Sequence, residues 1–253
     1  MGSWIIERAA RDGFDYVELP LAQIMDLGQD EFNRLCDKLL SLGVKCRGNN
    51  NFFPPGLRLT GPQADEAGIG EYIEGALSRS RSLGVTKVVF GSGPARNIPP
   101  GFPPDEGKEQ IIRLLRRGAQ IAAKYGISIV IEPLNREESN IINSFEEGCR
   151  IAAGVSRENV KVLVDYYHLV KENEPLEHIC QWGKDFLFHT HFAGDGSARK
   201  YPAAEGKEAY TRFMKALKDT GYDDTLSLEA RDDDPLSHMK PALLMLRELW
   251  EGL

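Results

Sequence analysis

Cysteine is scarce and unpatterned in this chain. The four residues present, Cys36, Cys46, Cys149 and Cys180, never stand in a CxxC spacing. That argues against a zinc knuckle or a disulfide framework and for reduced thiols in a cytoplasmic protein. No apolar run approaches the roughly 20 residues a membrane span requires. The opening MGSWIIERAARDG turns charged after two isoleucines, unlike the apolar core of a secretion signal. Positive charge is in deficit: 31 Lys and Arg stand against 38 Asp and Glu, a net charge of −7. Such a surface repels phosphate backbones, so neither nucleic acid nor a membrane is the expected partner. No GxGxxG turn follows the first apolar strand, which weakens a dinucleotide-binding reading. No histidine precedes His168.

What the chain does have is a repeat. An amphipathic helix, a glycine and a short apolar strand recur in GFDYVELP from Gly13, GVKCRG from Gly43, GVTKVVFG from Gly84 and GISIVIEP from Gly126. The unit returns in ENVKVLVD around Val160, GKDFLFHTH from Gly183 and GYDDTLSLEA from Gly221. Glycine just past a helix is the residue that takes the left-handed conformation without a Cβ clash. Helical spacing puts Phe32, Leu35, Leu39 and Leu42 on one face, and likewise Ile111, Leu115, Ala119 and Ala122, and Tyr210, Phe213, Met214 and Leu217. The strands are nearly continuous in Val, Ile and Leu, as parallel strands covered by helices should be. Alternation without a break in composition predicts one α/β domain over residues 1–253, of (β/α)8 barrel type, with an open doubly wound sheet as the main competitor. Seven strands and eight helices are readable, because a helix from Ser3 to Arg11 opens the chain. An eighth strand would have to precede Trp4, so strand 1 is expected to be missing or replaced.

In such barrels the chemistry lies at the C-terminal ends of the strands. Four successive units end on a carboxylate or imidazole: Glu132 in IVIEPLN, Asp165 in VLVDYYH, His191 in FHTHF and Glu229 in LSLEAR. Each alone is commonly just a solvated strand end. Together they would converge, and three carboxylates without a cation would raise one another's pKa values. A divalent metal resolves this, and three oxygens with one nitrogen suit Mn²⁺, Mg²⁺ or Co²⁺ better than structural zinc. His189 is expected to point away from His191 and to serve packing.

At these residues the sequence resembles the xylose isomerase-like TIM barrels of the sugar-phosphate isomerase/epimerase superfamily, and within it the ketose 3-epimerases of tagatose/psicose type. IEPLNREESNIINSFEEG, VKVLVDYYH, HTH and LSLEAR carry the resemblance in order and spacing. It implies Glu132, Asp165, His191 and Glu229 as metal ligands, with Mn²⁺ first, and Glu132 and Glu229 as the acid/base pair. It further implies that His168 and Arg199 bind substrate oxygens and that Glu138 hydrogen-bonds near the carbonyl end. The implied reaction is proton transfer α to a ketose carbonyl through a metal-stabilised enediolate, with 3-epimerisation favoured. An aldose–ketose isomerase, a dehydratase or a catalytically degenerate metal-binding barrel would use the same residues, and the family also suggests a dimer or tetramer.

Two departures stand out. The chain reads YPAAEG after Arg199, where the family has a Pro-Gly-x-Gly turn, and the first strand is missing. An endonuclease IV-like DNA-repair site, on the same barrel, would need histidines on early strands that are absent here. The loops NNNFFPPG and GPARNIPPGFPP are expected on the rim, where Phe52, Phe53 and Phe102 would form a lid or a dimer contact, or else a proline-stiffened loop.

Overall fold

The computed structural model describes residues 3–194 and 198–253. The chain opens in helix α1 (Ser3–Asp12) and then alternates strands with helices to its end. The strands are β1 (Tyr16–Pro20), β2 (Lys45–Asn50), β3 (Lys87–Phe90), β4 (Ser128–Ile131), β5 (Val160–Asp165), β6 (Leu187–Phe192) and β7 (Leu226–Leu228). Each pairs in parallel with the next, giving a nearly closed barrel in the order β1 to β7. The longer helices after α1 are α3 (Gln29–Leu42), α4 (Glu66–Ser82), α6 (Pro104–Tyr125), α7 (Phe145–Val155), α9 (Glu177–Phe186), α10 (Lys207–Asp219) and α11 (Pro235–Glu251). Three short helices, α2 (Leu21–Met25), α5 (Gly93–Arg96) and α8 (Tyr166–Lys171), sit directly behind or just past strand ends. Among the described residues, no helix is long and apolar enough to cross a membrane.

The expected seven strands and opening helix are therefore present, and so is the consequence of the absent strand. Among the described residues β1 and β7 do not pair with each other. Between them lies a cleft of about 780 Å³, walled by Ile5 and Ala9 of α1 and by Met239 and Leu246 of α11. Side chains bridge it: the Tyr16 hydroxyl lies 2.9 Å from Ser227 Oγ, and the Ser227 hydroxyl donates to Glu18 Oε2 at 2.6 Å.

The core follows the predicted faces. Ile111, Leu115, Ala119 and Ala122 of α6 are buried, as are Tyr210, Phe213, Met214 and Leu217 of α10. On α3 Phe32 and Leu39 are buried and Leu35 packs half-buried against the core, while Leu42 remains exposed. Gly43 and Gly126 end their helices with φ of 64° and 66°, as the repeat requires. Gly183 departs from it. This residue lies inside α9, and a Cβ there would come 2.6 Å from Thr220 Cγ2, so close packing explains the glycine. Phe52 and Phe53 also depart from the expected lid. Both are buried and stacked at 4.2 Å, with Phe53 edge-on to Phe90 of β3, which takes them into the core.

Candidate active site

Local structure delivers each of the four strand-end residues. β4 runs Ser128–Ile131 and Glu132 is the next residue; β7 runs Leu226–Leu228 and Glu229 follows it. Asp165 closes β5 and is also the N-cap of α8, its Oδ1 accepting from Tyr167 N at 2.8 Å. Capping occupies one carboxylate oxygen and leaves Oδ2 for the barrel rim. His191 lies on β6 and is fully buried.

Glu132, Asp165, His191 and Glu229 each present one ligand atom, all within 4.8 Å of one another. His191 Nδ1 lies 3.0 Å from Glu132 Oε1 and 2.8 Å from Glu229 Oε2. Arg199 Nη2 lies 2.6 Å from both Asp165 Oδ2 and Glu229 Oε2, and its guanidinium stacks over the Tyr167 ring at 5.1 Å. Asn50, ending β2, donates to Glu229 Oε1 at 2.9 Å. Three buried or part-buried carboxylates beside one imidazole form a hard, mostly oxygen donor set that fits a divalent ion. A Cβ on Gly91 would collide with Glu132 Oε2, so the backbone after β3 is shaped around that carboxylate.

The charges explain the ionisation of the cluster. Burial disfavours charge on His191, but Glu18, Glu229 and Glu132 outweigh it and hold the imidazole well above its usual range. Burial likewise opposes ionisation of Glu229, yet His191 and Arg199 pull its carboxyl down to about 2. Glu229 is therefore an ionised acceptor at neutral pH.

The other expected substrate contacts take different places. His168 is buried; its Nδ1 accepts from the Asn135 backbone N–H at 3.1 Å, so a neutral ring carries its proton on Nε2, which lies 3.4 Å from Arg199 Nη1. Glu138 lies on the exposed rim and accepts from Asn135 Nδ2 at 3.1 Å, outside the four-residue cluster. Arg199 turns towards the cluster with φ of 49°; the preceding residues 195–197 of the GDGSARKYP stretch lie outside the described residues.

His189 corrects an expectation. Residues two apart on a strand share a face, so His189 and His191 both point into the barrel, their ring centroids 4.9 Å apart. Between them and β1 stands Glu18, which sequence reasoning missed. Its Oε1 is 3.0 Å from His191 Nε2 and its Oε2 is 2.8 Å from His189 Nε2. Burial opposes its charge, but His191 and His189 hold the Glu18 carboxyl well below the usual carboxylate range. A glutamate in the middle of the apolar strand YVELP was the available signal.

Residues 6–249 match the family described as the xylose isomerase-like TIM barrel. The chain belongs to this family. Among curated relatives of this barrel, it is 27% identical over 257 residues to an L-ribulose 3-epimerase of Methylomonas sp. (strain DH-1), spanning 97% of this chain and 84% of that protein. A crystal structure of D-psicose 3-epimerase with D-tagatose, from Clostridium cellulolyticum H10, superposes with a TM-score of 0.83 at 22% identity, covering 98% and 93% of the two chains. A third barrel, the IOLI protein with a zinc atom bound, superposes at 0.72 with 19% identity, covering 98% and 91%. At these identities the two structures establish the fold.

Proposed function

We propose that this barrel is a divalent-metal-dependent sugar epimerase or isomerase that moves a proton on the carbon next to a ketose carbonyl, with 3-epimerisation as its main outcome. The observation that carries the reading is the convergence of Glu132, Asp165, His191 and Glu229 from four successive strands to within 4.8 Å. Relatives named L-ribulose 3-epimerase, D-psicose 3-epimerase and inosose isomerase support the reaction class.

Those four residues would hold the metal, with Mn²⁺ the ion of choice for this donor set. When bound, a divalent ion supplies Lewis-acid polarisation of a carbonyl oxygen. Proton movement falls to the chain. Glu229, ionised by His191 and Arg199, is one partner of the acid/base pair, and Glu132 is the other. One takes the proton from the sugar carbon and the other returns a proton from the opposite face, which inverts the centre. Arg199 and His168, set side by side at 3.4 Å, are positioned to bind sugar hydroxyls, and Glu138 does so from the rim.

The test is proton NMR after incubating the Mn²⁺-loaded protein with a panel of ketoses in D₂O. Deuterium at C3 marks the epimerase, deuterium at C1 marks an aldose–ketose isomerase, and no exchange with any sugar ends the proposal. Glu229→Gln should lower exchange by at least about a hundredfold, the scale of one general acid–base group, while sugar binding remains measurable. Retained exchange would remove Glu229 from the acid/base pair.

A further inference from the structure

Glu18 is the end point of hydrogen bonds that all run towards it. His191 Nε2 lies 3.0 Å from its Oε1, while His189 Nε2 and the Ser227 hydroxyl lie 2.8 and 2.6 Å from its Oε2. An ionised carboxylate only accepts, so both imidazoles must carry a proton on Nε2. The far side of His189 fits the same arrangement. Lys87 Nζ is 2.8 Å from Thr225 Oγ1 and 2.8 Å from Asp224 Oδ2. An ammonium only donates, so the Thr225 hydroxyl keeps its own proton for His189 Nδ1, which lies 2.9 Å away, nearer than the Thr225 carbonyl at 3.2 Å that a proton on Nδ1 would need. That leaves the His189 proton on Nε2, aimed at Glu18. The direction is therefore fixed from the buried Lys87 through Thr225 and His189 into Glu18.

On the other side of Glu18, two carboxylates, through Glu132 Oε1 and Glu229 Oε2, face Nδ1, so without a metal the His191 ring carries a proton there as well. With Nε2 protonated towards Glu18, Nδ1 is the nitrogen whose proton a metal would displace. We infer that Glu18 is a positioning residue: it fixes His191 in the tautomer and ring orientation that present Nδ1 to the Glu132–Asp165–Glu229 cluster, with Lys87, Thr225 and His189 orienting Glu18 from behind. The inference rests on the proposed reading, in which His191 is a metal ligand. A carboxylate behind a ligating histidine raises its basicity and locks its orientation.

Glu18→Gln tests it. The amide keeps the shape but offers only one acceptor oxygen, so its NH₂ faces one of the two rings and forces that ring to give up its Nε2 proton. Titration calorimetry should give an Mn²⁺ affinity about ten- to a hundredfold weaker, the usual cost of losing such a partner. Affinity within twofold of the native protein overturns the inference. Long-range ¹H–¹⁵N spectra of the native protein loaded with Zn²⁺ provide a second measurement that survives a poorly folding variant. They should place the His189 and His191 protons on Nε2, and a proton on His191 Nδ1 overturns the inference. Should the native protein bind no divalent metal, the metal reading fails by itself. The His189 proton then decides the rest: on Nε2 it upholds the chain into Glu18, and on Nδ1 it breaks that chain.

Discussion

Gly91 follows β3 directly, and the space a Cβ would need there is taken by Glu132 Oε2. The colliding atom is the end of a flexible side chain, so Gly91→Ala should leave folding stability nearly unchanged while turning the Glu132 carboxylate aside. Misplacing an acid/base group by about an ångström costs on the order of a hundredfold. The expected result is an unfolding midpoint close to native, with proton exchange lower by about that factor. Normal exchange would show that the Glu132 position is not critical. The four cluster residues were legible because each ends an apolar strand, a pattern visible in one dimension. Glu18 was not read because it stands inside its strand, and its partners lie 171 and 173 residues away. His189 was misread by an error of period: the residue that faces away from His191 is its neighbour Thr190.

Short elements carry positions that periodicity does not reveal. α5 has only four residues, but it ends on Arg96, which is fully buried. Burial, partly offset by Glu132 and Glu147, lowers this guanidinium to about 10, so it stays charged at neutral pH. It donates to the carbonyls of Phe90 at 3.0 Å and Glu132 at 2.8 Å, and to those of Ile141 and Ile142 at 3.3 Å. One side chain thus ties the ends of β3 and β4 to the loop before α7. The carbonyls of Phe90, Ile142 and Ile141 also accept from Glu132 N, Leu134 N and the Ser139 hydroxyl, so Arg96→Met mainly strips the Glu132 carbonyl. It should destabilise the fold by about 1–3 kcal/mol, the cost of one buried carbonyl left unsatisfied. Urea unfolding would measure it, and a loss below about 1 kcal/mol would mean that the Glu132 carbonyl finds another partner. The long helices and the strands were legible from apolar spacing and glycine punctuation. The roles of Arg96 and of the buried Phe52–Phe53 pair were not, because both sit in segments rich in proline and glycine that read as surface loop.

At the scale of the whole molecule, the seven-stranded sheet has two ends where a closed ring would have none. Among the described residues, β1 and β7 each have a ladder on one side only. Amides in strands with fewer partners open at lower free energy. Hydrogen exchange is therefore expected to be faster in β1 and β7 than in β3 and β4. Ser227 ties the two strands across the cleft, through Tyr16 and Glu18, while Arg247 joins α11 to Gly13 and Asp15. Ser227→Ala should accelerate exchange in β1 and β7 by about fivefold, corresponding to about 1 kcal/mol for one net hydrogen bond, and leave β3 to β5 unchanged. Uniform acceleration across the sheet would mean that the barrel opens as one unit.

That pair of ends also bears on how the protein loses activity under stress. Glu229 follows β7 and Glu18 lies on β1, so the first segments to fray carry one proposed proton carrier and the group proposed to orient His191. Inactivation by mild denaturant should precede loss of helical signal: the enzyme would fail at its seam while most of the barrel still stood.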